Sequence, residues 1–342
     1  MPQDVLLYGL GAIGSFYAFI LSRNENVRLS VIARSNYEAV KANGFKIVSE
    51  NHGEHTVKPF QGEKMVQTTA QLYVPRDAAL TLIRVLVLKH PSEAKTTFDY
   101  IVCAHKAINQ STVPEQLASC VDEKKTTIVI IQNGVGNEEP FRQRFPSTTI
   151  ISCVTWVGAR QSQPGVIAHT KSEDMQIGIF PTNGNDSDRD AGRLKEFSNL
   201  LTTGKTVFQA VPDIQLLRWE KVVWNAAWNS LTTLTLMDTH SWLASPDAET
   251  LTRRLMTEVI DVGKALGVAL DYDLIDTLVN KIKGMPPIGS SMRTDYENNK
   301  PMEVEIILGY PVRKGKELGI NIATVETIYV ILTAVNRRLM KI

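Results

Sequence analysis

An α/β first part followed by an all-helical second part is the fold class this sequence predicts, with a sheet-containing domain over residues 1–211 and a helical domain over 212–342. Three observations predict it. A short apolar run at residues 4–8 leads straight into Gly9-Leu10-Gly11-Ala12-Ile13-Gly14 and a helix-compatible segment to residue 22. Further apolar runs at 98–104, 126–131 and 149–156 read as buried strands of a parallel sheet. Beyond Pro212, helical spacing replaces strand-like alternation as far as residue 340.

The glycine stretch is a Rossmann-type dinucleotide fingerprint. Gly9 allows the tight turn, Gly11 lets backbone approach a pyrophosphate, and Gly14 lets helix pack on strand. The pyrophosphate then sits on the free N–H groups of the segment Leu10-Gly11-Ala12-Ile13 at the helix start. A second strand, 27–33, ends at Arg34-Ser35-Asn36 with no acid between residues 27 and 37. An acid there suits the ribose hydroxyls of NADH, whereas Arg34 suits the 2′-phosphate of NADPH; a plain surface arginine is the alternative.

A helix at 37–43 and a strand at 45–49 follow, and residues 51–97 are poorly legible, with the apolar run 78–88 open between strand and helix. The strand 98–104 ends at His105-Lys106-Ala107, where a parallel sheet binds its ligands, so Lys106 is either a cofactor contact or a surface lysine. Gln132-Asn133-Gly134-Val135-Gly136 follows the strand 126–131. It reads equally as backbone held close to a ligand with Asn133 aimed at it, or as a turn needing positive φ. The segments 165–169 and 175–180 continue the sheet, with an antiparallel extension open, then come a helix at 190–202 and a strand at 206–211.

Residues 213–231 form a helix with Lys221, Asn225 and Asn229 every four positions. Each step of four drifts by about 40°, so the three polar groups share one narrow face over about 12 Å. Val222, Val223, Trp224, Ala226, Ala227 and Trp228 occupy the other faces. A buried polar stripe needs partners, which a substrate can supply; on its own, Lys221 also reads as a solvated lysine. Helices at 248–266 and 274–283, a break at 284–289, a new element capped at Ser290, a helix from Pro301 to 308 carrying Glu303 and Glu305, and a last helix at 324–340 complete the chain.

Composition narrows the function. With 342 residues, 43% apolar content and a formal charge of +1, the chain lacks the basic footprint of a nucleic-acid binder. Three cysteines and six histidines fall in no metal-ligand spacing, so no metal is expected, and the odd cysteine count points to a reducing, cytoplasmic setting. The uncharged run 5–21 carries the glycine pattern and no basic leader, which favours strand-turn-helix over a signal peptide or membrane span.

Taken in order, Gly9-x-Gly11-x-x-Gly14, Arg34, Lys106, Asn133-Gly134-x-Gly136, Lys221-x-x-x-Asn225-x-x-x-Asn229, Ser290-Ser291-Met292-x-x-Asp295 and Glu303 resemble the ketopantoate reductase (2-dehydropantoate 2-reductase) family. The resemblance implies NADPH-dependent reduction of 2-dehydropantoate to (R)-pantoate, on the route to pantothenate. It implies Lys221 as general acid, Glu303 as ligand of a substrate hydroxyl, and Asn133, Asn225, Asn229 and Ser291 as substrate holders. Arg34 and Lys106 match cofactor contacts, and a homodimer is one assembly open to the chain. The residue types suit the chemistry, since hydride transfer to a ketone leaves negative charge on oxygen that an ammonium can stabilise and protonate. Glu303 alone also reads as a helix-surface carboxylate paired with Lys300.

Departures from the family pattern are Leu308 in place of an asparagine, Ser230 in place of a proline, and the bulk of Trp224 and Trp228. They leave room for another 2-oxo acid or a bulkier ketone. A 3-hydroxy acid dehydrogenase and an NADPH-binding sensor without turnover are the competing readings, and the intact Lys221, Asn225, Asn229 and Glu303 set weighs against the sensor.

Overall fold

The computed structural model describes residues 2–60, 84–181 and 187–341. Its sheet has twelve strands: β1 (Gln3–Tyr8), β2 (Val27–Ile32), β3 (Phe45–Ser49), β4 (Gly53–Pro59), β5 (Arg84–Leu88), β6 (Tyr100–Cys103), β7 (Thr127–Ile131), β8 (Thr149–Thr155), β9 (Ala159–Gln163), β10 (Val166–His169), β11 (Met175–Ile179) and β12 (Gln209–Ala210). The order is β12-β11-β8-β7-β6-β1-β2-β5-β4-β3-β10-β9. From β8 through β7, β6, β1 and β2 to β5 every pairing is parallel, which puts all the carboxyl ends on one edge. The described part of the run 78–88 is therefore strand, and the rest lies outside the described residues.

Side chains alternate across the central strands. Val5 and Leu7 enter one buried cluster with α1 (Ala12–Ser22), while Leu6 and Tyr8 enter another on the opposite face. Coverage on both faces is why these strands read as unbroken apolar runs. The helices α2 (Tyr37–Asn43), α3 (Val113–Leu117), α4 (Glu139–Arg144) and α5 (Ser187–Gly204) complete this part.

Two corrections concern the sheet. The segment 165–169 does not extend the edge beside β8: as β10 it crosses to the far side, pairs parallel with β3 and antiparallel with β9, and so curls the sheet around α1. Antiparallel extension is right for β11, which lies against β8. The last strand shrinks to Gln209–Ala210.

The second part is helical: α6 (Ile214–Thr235), α7 (Thr239–Leu243), α8 (Ala248–Ala265), α9 (Asp273–Gly284), α10 (Ser291–Glu297), α11 (Tyr310–Leu318) and α12 (Ala323–Met340). Asp213 caps α6 by accepting from the N–H groups of Gln215 and Leu216, at 3.0 and 3.1 Å. From Arg218 to Thr233 almost every residue of α6 is buried, because α8 and α10 pack on it from one side and β8 and β11 from the other. Pro301 does not open a helix. Asn336 of α12 bonds both backbone groups of Met302, which keeps residues 301–303 outside the helix, and the helix starts at Val304. Its first turn, Glu305–Gly309, is a π-helix, a local widening frequent at functional sites.

Candidate active site

The glycine loop lies at the carboxyl end of β1. Gly9 has φ +103°, and a Cβ there would lie 2.4 Å from the backbone of His105. A Cβ on Gly14 would lie 1.9 Å from Gly9 O, so helix and turn close only without one. Gly11, which caps α1, has nothing within 4 Å of a would-be Cβ. Open space therefore stands over free helix N–H groups, the cradle a pyrophosphate needs. Leu10 is buried, with Ala12 and Ile13 partly so, and Asn36 Nδ2 braces the loop by donating to Leu10 O at 2.8 Å. Arg34 is exposed just past β2.

Next along the same edge, the turns after β6 and β7 meet the helical domain. Glu303 accepts from the backbone N–H of Ala107 at 3.0 Å and from Asn133 Nδ2 at 3.4 Å. Burial pushes its carboxyl above the usual range, opposed by the Ala107 N–H and the nearby Lys106 charge. Lys106 itself forms an ion pair with Asp295 of α10. Gly134 and Gly136 have φ of +88° and +77°, and the close approach they permit is to Ile306 and to the Tyr310 ring. Val135 N–H donates to Ile306 O at 3.0 Å. These glycines thus dock one domain on the other.

Lys221 projects from α6 toward the end of β8. Its Nζ donates to the carbonyl oxygen of Thr155 and lies 4.8 Å from the centre of the Trp156 ring. Burial pushes its pKa down to about 7, the Arg218 charge adds to that, and Glu303 opposes it. One turn on, Asn225 is 6% exposed, and among the described residues its Nδ2 has no partner. Asn229 is buried as well, and its backbone oxygen accepts from Ser290 Oγ at 3.4 Å. Ser290 is the buried cap of α10, whereas Ser291 is exposed at the first position of that helix. Lys221, Glu303 and Asn133 therefore lie together at the carboxyl edge of the sheet, with Asn225 and Asn229 one and two turns further along α6. Arg34 stands apart from them beside β2.

Residues 5–182 match a family profile described as Ketopantoate reductase PanE/ApbA, and residues 213–336 match its C-terminal counterpart. The chain belongs to the ketopantoate reductase family. A curated 2-dehydropantoate 2-reductase from a Nostoc strain is 26% identical over 94% of this chain and 92% of its own length. The crystal structure of 2-dehydropantoate 2-reductase from Methylococcus capsulatus is 29% identical, with a TM-score of 0.80 over 98% of this chain and 97% of that one. A Staphylococcus aureus structure described as dimeric ketopantoate reductase shares the fold at TM-score 0.74 and 21% identity, over 98% and 99% of the two chains. The family makes this protein an oxidoreductase with a dinucleotide-binding fold.

This ketopantoate reductase family member also carries a buried clamp that the sequence reading missed. Arg218, 2% exposed and one turn before Lys221, pairs with the fully buried Glu138 at 3.0 Å. Its guanidinium also donates to the carbonyls of Gln132, Gly134 and Cys153, at 2.9, 2.8 and 3.0 Å. The available signal was a lone arginine in an otherwise apolar turn. Trp156 was missed too, although its place just past a strand marks it. Among the described residues no cluster could hold a metal, and no helix is long and apolar enough to cross a membrane.

Proposed function

We propose that this protein reduces the ketone of a 2-oxo acid with NADPH, 2-dehydropantoate to (R)-pantoate on the pantothenate route being the reaction its family favours. The observation that carries the reading is the partly buried Lys221 ammonium on the same sheet edge as the glycine loop, with Glu303 and Asn133 beside it. When bound, the nicotinamide cofactor supplies the hydride. Lys221 stabilises the charge that grows on the ketone oxygen and delivers the proton. Asn225 offers an unpartnered amide donor to the substrate, and Asn229 and Ser291 extend that surface. Glu303, pinned by Ala107 and Asn133, accepts from a substrate hydroxyl and favours the charged lysine. The domains divide at residues 211 and 212, and the named dimeric relative supports a homodimer. A cytoplasmic setting belongs to the same reading.

Two expected results test it. Reduction needs the protonated amine, so kcat/KM falls as pH rises through about 7, tending to tenfold per unit, while oxidation of the alcohol rises over the same range. A profile flat from pH 6 to 9 would remove Lys221 from proton transfer. Arg34→Asp weakens NADPH by roughly 10- to 100-fold, the loss of a charge-assisted contact, and NADH far less. Equal losses for the two cofactors in a binding titration would rule out Arg34 as the 2′-phosphate contact.

A further inference from the structure

A 2-oxo acid always brings a carboxylate, and the cleft cations are nearly all committed elsewhere. Lys106 pairs with Asp295 and Arg218 with Glu138, while Lys221 is reserved for the ketone oxygen. Lys281 of α9 differs. It is exposed and has no carboxylate partner among the described residues, whereas Lys283, two positions on, pairs with Glu249 at 2.8 Å. Its Nζ lies 4.9 Å from the ring centre of Trp156 and 5.5 Å from that of Trp224. Trp156 is the ring that Lys221 approaches at 4.8 Å, and Trp224 lies on α6 next to Asn225. The two indoles meet edge to face with centres 6.4 Å apart.

Two ammonium groups gathered at one indole make a locally positive wall that attracts an anion. The ring faces hold the cations without neutralising them, because a cation–π contact leaves the full charge in place. We propose that Lys281, carried by Trp156 and Trp224, is the anchor for the substrate carboxylate, with the indoles flanking the acyl group. The subsite rests on the 2-oxo acid reductase reading. It adds a residue from α9 to a pocket otherwise built from α6, α10 and the sheet edge, and the stem of an exposed lysine lets Lys281 adjust to acids of different length.

The test compares the wild type with Lys281→Gln and Lys281→Arg, using 2-dehydropantoate as substrate and oxamate, an unreactive 2-oxo acid mimic, as ligand in the presence of NADPH. Lys281→Gln is expected to raise KM and the oxamate dissociation constant together by about tenfold, the size of one lost charge-assisted contact, more than it lowers kcat. Lys281→Arg restores most of the binding, and NADPH affinity stays at the wild-type value. Lys281→Gln values for both constants within about twofold of wild type would overturn the assignment. Oxamate binding that depends on Lys281, in a protein that reduces no 2-oxo acid, would keep the subsite and sink the reductase reading. Failure to bind oxamate at all would sink the subsite.

Discussion

Lys221→Ala is expected to lower turnover by about 10²- to 10⁴-fold, the range of a positioned general acid, while NADPH binding changes little. The Nζ lies at the end of β8 on the Thr155 carbonyl, whereas the glycine loop lies at the end of β1, so the substitution leaves the cofactor cradle intact. Stability gives a second readout. The lysine titrates near 7 in the fold against about 10.4 when free, so the folded state holds fewer protons between those values and the ammonium opposes folding at neutral pH. Its removal should therefore leave the melting temperature unchanged or raise it. Near-normal turnover in steady-state assays, with the protein folded, would refute the role of Lys221.

Gly134→Ala should produce a large loss of stability at the contact between the sheet and the helical part. A side chain at φ +88° costs about 1–3 kcal/mol in strain alone. The new Cβ would also lie 2.4 Å from Ile306 O, an atom fixed by the Val135 N–H bond, so backbone has to move. Together these amount to roughly 3 kcal/mol or more, a fall of several degrees in Tm for a chain of this size. Asn133 moves with the turn, so its contact with Glu303 weakens and KM rises. Gly53→Ala is the control, because it has φ +79° with nothing within 4 Å and carries the strain without the clash. Equal Tm shifts for the two variants would show that the Gly134 turn does not hold the domains together.

The parts of this architecture legible in the sequence are those encoded by local spacing. The glycine fingerprint, the apolar central strands and the four-residue repeat of Lys221, Asn225 and Asn229 all sit where periodicity put them. What escaped depends on partners far along the chain. Arg218 reads as an ordinary charged residue until Glu138, eighty positions earlier, is folded against it. Residues 166–169 carry a strand pattern, yet nothing local says that β3 rather than β8 is the neighbour. Pro301 is a sound helix-start signal, and it loses to the two hydrogen bonds from Asn336. For Gly134 and Gly136 the sequence left a ligand approach and a positive-φ turn equally open; positive φ is what they adopt, and the object they approach is the other domain, which only tertiary structure reveals.

The Arg218 clamp also bears on how the cleft can open and shut. The linker before α6 looks like the natural joint, but Val211 N–H bonds Ile177 O at 2.9 Å, and Arg218 grips three carbonyls of the sheet domain from inside the first turns of the helix. Bending at residues 211–213 would tear a charged side chain out of a fully buried socket. Mechanically, the start of α6 belongs to the sheet domain, and Lys221 rides with it as a fixed anvil. The residues of α10, which packs on α6, therefore meet a lysine whose position the sheet domain sets.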